Sequence, residues 1–232
     1  ALLDSSVLLL NKLRTDLVVV NRQQTTLLLP RTFSRNILAR ARSIPGVEST
    51  FPLYIEYSRS VMRNTNPVEE KRNPSQTIRV IGVDPTAYLF DFPALDPDSP
   101  ASCVRELPLE GRVLFDSLAK KVDRYGTTVY GPVRIGHQTD LADQRIVIVG
   151  LFKLGVDFGT DGTFITSTNT FQRILRSQPY GPGMEDVDIG LIRLSPGADP
   201  LQVKAQLQAF LGQEVEVLTK AEMMAREQAF WQ

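Results

Sequence analysis

Hydrophobic positions recur along this chain with two periods, and the switches between them mark out its elements. Residues 2–13 place Leu3, Val7 and Leu10, and again Leu2, Leu9 and Leu13, three or four apart, which predicts a helix ending near Arg14. Thr15-Asp16 breaks it, and the run Leu17 to Val20 suits a strand buried on both faces. Phe33, Ile37, Ala41 and Ile44 then predict a short amphipathic helix after a Thr32 or Ser34 cap, closed by Pro45-Gly46. From Val47 the period becomes two. Phe51, Leu53, Ile55 and Tyr57 share one strand face, while Glu56, Ser58 and Arg59 turn away.

Beyond this strand-helix-strand unit, residues 63–74 are polar and rich in Pro and Asn, a loop. Ile78, Val80, Ile81 and Val83 predict a strand ended by Asp84-Pro85, and residues 91–109, with Pro93, Pro97, Pro100 and Pro108, an irregular crossing. Leu114, Leu118 and Val122 at fourfold spacing predict a helix with Gly126 at its end. Strands are expected over 129–135, 145–151 and 163–166, and Tyr180-Gly181-Pro182-Gly183 marks a second crossing. The last third repeats the opening unit: a strand over 187–194, the turn Ser195-Pro196-Gly197, a helix, and a strand over 214–218. That helix has Asp199 as N-cap, Pro200 at its first position, a core face of Val203, Leu207 and Phe210, and Gly212 as its stop. A final amphipathic helix spans 221–231. Two such units flanking an insertion of roughly a hundred residues predict an α+β fold, a split ferredoxin-like module carrying a mainly β insertion.

Composition narrows the function. The 26 Lys and Arg balance the 26 Asp and Glu over 232 residues, so the clustered basic excess of a nucleic-acid surface is missing. One Cys excludes an internal disulfide, and one His excludes any centre needing two imidazoles. Neither a phosphate-cradling P-loop nor a G-x-S-x-G elbow occurs. Cys103 and His137 are formally a nucleophile and a base, but Cys103 falls in the Pro-rich connector and His137 at a strand end. They read as an inert thiol and a surface imidazole. Asp157-x-Gly159-x-Asp161-Gly162 looks partly like a calcium loop, yet Thr168 stands where a bidentate Glu is needed. A glycine-rich loop is the better reading. Asp84, Asp91, Asp96 and Asp98 form a solvated linker face.

The ends are apolar. Asp4 and Asn11-Lys12 interrupt the first stretch, and Glu222, Arg226 and Glu227 the last, so neither reaches the roughly 20 apolar residues that span a bilayer. The expectation is a fragment of a longer polypeptide, with about 20 apolar residues beyond each end. Phe230-Trp231 fits either core residues or a membrane-water interface, the interface being preferred here. The N-terminal leucines are assigned to helix pairing beside the membrane.

The order of elements resembles the extracytoplasmic core domain of MacB-like ABC permeases. The resemblance lies in Arg42-Ser43-Ile44-Pro45-Gly46-Val47-Glu48, in Val80-Ile81-Gly82-Val83-Asp84-Pro85, in the run from Leu114 to Lys121, and in that from Ile146 to Phe152. Three further stretches resemble the cyanobacterial DevC type in particular: Leu10 to Val18, Phe152 to Gly162, and Arg226-Glu227-Gln228-Ala229-Phe230-Trp231. Each motif is short; their order and spacing over the whole chain carry the likeness. It implies a Porter-like module over 1–76 and 181–232 with terminal stalk helices, and a Sabre-like module over 77–180.

The resemblance further implies a membrane-anchored domain on the periplasmic side of a bacterial, here cyanobacterial, inner membrane, with no catalytic site or cofactor of its own. ATP would be hydrolysed on a separate nucleotide-binding subunit. Its implied partners are a second permease copy, a periplasmic adaptor (membrane fusion protein) and a TolC-like outer-membrane duct, and its implied cargo is a glycolipid. The stalk would change between two arrangements, with Leu3, Val7 and Leu10 on one helix against Met223, Met224 and Ala225 on the other. The competing readings are an FtsX-like regulator of cell-wall hydrolases, a lipoprotein-extraction permease, and a free-standing envelope enzyme.

Overall fold

The computed structural model describes residues 3–230 except 28, 30, 69, 72, 91–96, 101, 124, 157–158 and 178–182, and no side chain before Val7. In chain order the elements of the first half are α1 (Leu3–Lys12), β1 (Leu17–Asn21), β2 (Phe33–Ser34), α2 (Asn36–Ala41), β3 (Val47–Glu56), β4 (Val61–Arg63), β5 (Ser75–Thr77), β6 (Arg79–Val83), α3 (Cys103–Glu106) and β7 (Arg112–Asp116). They are followed by β8 (Gln138–Leu141), β9 (Gln144–Phe152), β10 (Thr163–Ser167), α4 (Thr168–Phe171), β11 (Asp186–Val187), β12 (Ile189–Leu194), α5 (Pro200–Leu211), β13 (Val215–Thr219) and α6 (Lys220–Phe230).

Eleven strands form one mixed sheet in the order β13-β1-β12-β3-β6-β10-β7-β9-β8-β4-β5, and β2 pairs with β11 apart from it. The long strand β3 joins its two parts. Residues up to Leu53 pair with β12, and Tyr54 to Glu56 pair with β6. Strand β4 pairs with β8 on one side and with β5 on the other, so residues 61–77 form the edge of the sheet opposite β13.

Side chains alternate across the strands into two apolar layers. Leu17 and Val19 of β1 face Ile37, Leu38, Val203 and Leu207 of α2 and α5. Val18 and Val20 face Leu9, Leu10 and Met223 of α1 and α6. β1 is therefore covered on both faces, as its unbroken apolar run predicted. Asp199 caps α5 by accepting from the Leu201 amide at 2.9 Å, with Pro200 following.

Several expectations are corrected. Residues 114–122 are not a helix: Val113 and Phe115 face one layer and Leu114 the other, the alternation of β7 between β10 and β9. Gly126 sits in a turn at φ +79°, organised by Asp123 Oδ1, which accepts from the amides of Tyr125 and Thr127 at 2.8 and 2.9 Å. Residues 129–135 form no strand; Val129 and Tyr130 are buried in irregular chain, and the Tyr130 hydroxyl donates to the Thr77 carbonyl at 2.8 Å. Glu56 does not turn to solvent but is buried, because Arg59 folds back onto it at 2.5 Å. Phe210 is 44% exposed under the Arg40 guanidinium, and Leu211 takes the core position. Neither Thr32 nor Ser34 is the N-cap of α2, which is Arg35. Asp91, Asp96, Asp157, Tyr180 and Trp231 lie outside the described residues.

Candidate functional site

The two terminal helices define the most constructed feature of the molecule. α1 leads into β1 and α6 leaves β13, and the pairing sets Leu17, at the start of β1, opposite Thr219, at the end of β13. Both helices therefore depart from one end of the sheet. They lie against each other, and Leu9, Leu10, Leu13 and Met223 are fully buried in one layer, with Met224 half-buried beside them. Burial of each such side chain contributes roughly 1.5–3 kcal/mol. Of the remaining residues expected at this contact, Val7 is buried, Ala225 faces solvent, and the side chain of Leu3 lies outside the description.

Polar bonds lock the pair in place. Lys220 Nζ donates to the carbonyls of Asn11 and Leu13 at 3.1 and 2.7 Å. This ammonium at the C-terminal end of α1 opposes the negative end of the helix dipole, and the two helices run antiparallel. α6 opens with a capping box, Thr219-Lys220-Ala221-Glu222: the Thr219 amide donates to Glu222 at 2.8 Å and the Glu222 amide to Thr219 Oγ1 at 3.2 Å. Lys204 of α5 holds both oxygens of Glu222, at 2.6 and 2.7 Å, and lowers its carboxyl pKa. One helical turn further on, the buried Glu227 accepts from Thr26 Oγ1 at 3.0 Å and from the Leu27 amide at 2.7 Å, tying α6 to the loop after β1.

The root of α1 is bonded in turn to the segment that follows β6. The Arg14 amide donates to the Leu89 carbonyl at 2.8 Å, and Leu13 forms a β-bridge with Phe90. Arg193 of β12 spans both segments: its guanidinium donates to the Arg14 carbonyl at 3.2 Å and the Tyr88 carbonyl at 2.7 Å, and lies 5.2 Å from the centre of the Phe51 ring. The end of α1, residues 88–90 and β12 are thus joined in one bonded cluster. The capping box was readable from its Thr-x-x-Glu spacing. Arg193 carried no local signal, since its partners are 105 and 179 residues away.

The remaining candidates are dispersed. Cys103 is buried against Gly150, Leu107 and Leu114, and burial raises its thiol pKa, the reverse of nucleophile activation. His137 lines a different, polar cleft with Arg63 and Asn64. Asp161 pairs with Lys120 at 3.3 Å, and Asp84 caps the turn Pro85–Ala87. Among the described residues no group of three or more His, Cys, Asp or Glu could hold a metal ion. A wider cleft of about 860 Å³ beside β4 and β5 is lined by Val61, Ile174 and Leu175 and by charges of both signs, Arg63 being paired with Glu70 and Asp140. No described helix is long and apolar enough to cross a membrane.

No protein-family model matches the sequence, and no curated protein matches it. Several solved structures share its fold. The periplasmic region of MacB from Actinobacillus actinomycetemcomitans superposes with a TM-score of 0.59 at 9% identity, over 92% of each chain. The extracellular domain of the noncanonic ABC-type transporter YknZ from Gram-positive bacteria does so with a TM-score of 0.54 at 12% identity, over 88% of this chain and 99% of that one. The chain thus has the α+β fold of an extracytoplasmic transporter domain, the one seen in the MacB periplasmic region.

Proposed function

We propose that this chain is the extracytoplasmic domain of an ABC exporter permease subunit, passing motion driven by ATP hydrolysis on a cytoplasmic partner subunit to envelope components. One observation carries this reading: an antiparallel pair of terminal helices leaves one end of the sheet and is bonded, through Lys220, Arg193 and the Leu13–Phe90 bridge, to both parts of the molecule. Such a pair is suited to acting as a stalk. The order of short sequence motifs supports the finer reading of a DevC-type exporter: a homodimeric permease, a periplasmic adaptor, a TolC-like duct and a glycolipid cargo.

The test is a cysteine pair across the stalk, one at Val7 or Leu10 and one at Met223 or Met224, in a Cys103→Ser background of the intact exporter. Oxidation should stop transport while the isolated domain keeps its circular dichroism spectrum. Full transport with the cross-link formed would refute the reading.

A further inference from the structure

At the fork in the sheet, where β3 leaves β12 for β6, the Ile55 amide has run past the start of β12. The carboxylate of Asp188 takes the place of the missing strand, Oδ2 accepting from Ile55 N at 2.8 Å. The same oxygen accepts from Arg176 Nη2 at 2.6 Å. Arg176 closes a π-type turn, Gln172–Arg176, at the end of the inserted half, and such turns concentrate at functional positions. The two side chains are 1% and 3% exposed.

The pair is costly to keep. The guanidinium lies against the adjacent rings of Tyr54 and Phe171, at 5.9 and 5.5 Å from their centres, and its Nε and Nη1 find no acceptor among the described residues. A buried ion pair with unfilled donors recovers only part of its desolvation cost. The other charges near it are Glu56 of β3, itself held by Arg59, and Arg35 and Glu185, which act on Tyr54. Burial pushes the Asp188 carboxyl up to about 6, against the pull of Arg176.

We propose that Arg176 and Asp188 form a proton-sensitive latch at the fork of the sheet. Closed, it ties the π-type turn to the β11–β12 connection and covers the Ile55 amide; open, it releases both. The sign follows from linkage. The closed form buries the carboxyl and holds its proton more firmly than a hydrated open form, so acid favours closure and opening gains as pH rises through about 6. This holds whether or not the chain serves a transporter.

The test is hydrogen exchange at the Ile55 amide in the whole chain at pH 5 and 7.5, corrected for intrinsic exchange, beside Asp188→Asn. Asn keeps an acceptor oxygen for Ile55 and Arg176 and does not titrate. Wild-type protection should fall roughly tenfold between the two pH values, as expected for a carboxyl holding its proton about two units more tightly in the closed form. In D188N it should stay constant within about twofold, on the same linkage. Equal wild-type protection at both pH values, or the same fall in D188N, would overturn the latch. Should D188N not fold, the wild-type carboxyl is followed by carbon NMR. A titration midpoint coinciding with the fall in Ile55 protection supports the latch, and a mismatch overturns it.

Discussion

Lys220, the first residue of α6, donates to the carbonyl of Leu13, just beyond the last turn of α1, at 2.7 Å. The start of one terminal helix thereby closes the end of the other, at the point where both join the sheet. Replacing Lys220 with Met keeps the aliphatic stem and removes the donor and the charge. Stability should drop by about 1 kcal/mol, the worth of a charged group at a helix end with its hydrogen bonds. The urea midpoint reports it, and an unchanged midpoint would show the bond to be idle.

Glu227 has a larger effect in store. Glu227→Ala leaves the Thr26 hydroxyl and the Leu27 amide without this acceptor in a buried setting, at a cost of about 2 kcal/mol. Glu227→Gln, which keeps one acceptor oxygen, should lose less. Limited proteolysis within residues 22–32 should accelerate in the Ala variant. Equal loss of stability in both variants would argue against the acceptor role.

Gly190 lies in β12 between β1 and β3. A methyl there would meet Leu38 Cδ2 at 2.5 Å and Val19 Cβ at 3.1 Å. Gly190→Ala should therefore destabilise by roughly 1–3 kcal/mol through overpacking. Gly82→Ala, whose methyl would stand 2.6 Å from Phe171 Cγ, should behave alike. A thermal melt decides, and neutrality at both positions would mean that the layers above the sheet yield more readily than their density implies.

The dependence of stability on pH carries two opposing signs. Asp188, raised to about 6 by burial, and Asp116, raised by burial despite three amide donors, hold their protons more tightly when folded. Their contribution is complete below the unfolded value near 3.8 and is lost as pH climbs, for Asp188 through about 6. Glu222, lowered by Lys204, and Glu56, where burial is the largest single influence but is outweighed by the combined donors of Arg59 and Ser58, contribute above their usual 4.5 and lose it as pH falls through their depressed values. Asp188→Asn should remove a slope of up to about 1.4 kcal/mol per pH unit between roughly pH 4 and 6. Parallel urea curves for wild type and variant across that window would contradict this.

Gln208 of α5 guards the outer edge of the sheet. Its amide donates to the Val215 carbonyl at 3.1 Å and its oxygen accepts from the Val217 amide at 2.9 Å, occupying groups of β13 that an added strand would use. Gln208→Ala should increase concentration-dependent association in light scattering, with little change in melting temperature. A variant as monodisperse as wild type would dismiss the guard.

Local order was legible wherever the deciding interaction was near in sequence. The periodicities of α1, β1, β3 and α5, the Asp199-Pro200 start and the Gly212 stop all follow from side-chain spacing and backbone preference, and they sufficed for the two strand-helix-strand units. The run Leu114-Phe115 could not be assigned this way, because Leu114, Leu118 and Val122 have helical spacing while β7 exists only through its neighbours β9 and β10. The charged residues that organise the molecule were equally silent. Arg193 reads as a surface cation, and Asp188 as one acid among several, until strands from distant parts of the chain meet. Burying a charge is tolerable only with a partner brought within hydrogen-bond reach, and the partners of Asp188 and Glu227 stand 12 to 201 residues away, as those of the half-buried Arg193 stand 105 and 179 away. The sequence by itself therefore determined the elements whose deciding contacts are local, α1, β1, β3 and α5 among them, but neither strand β7 nor the irregular course of residues 129–135. The tertiary structure alone decided that both terminal helices share one end of the sheet, and which buried charges hold them and its two parts together.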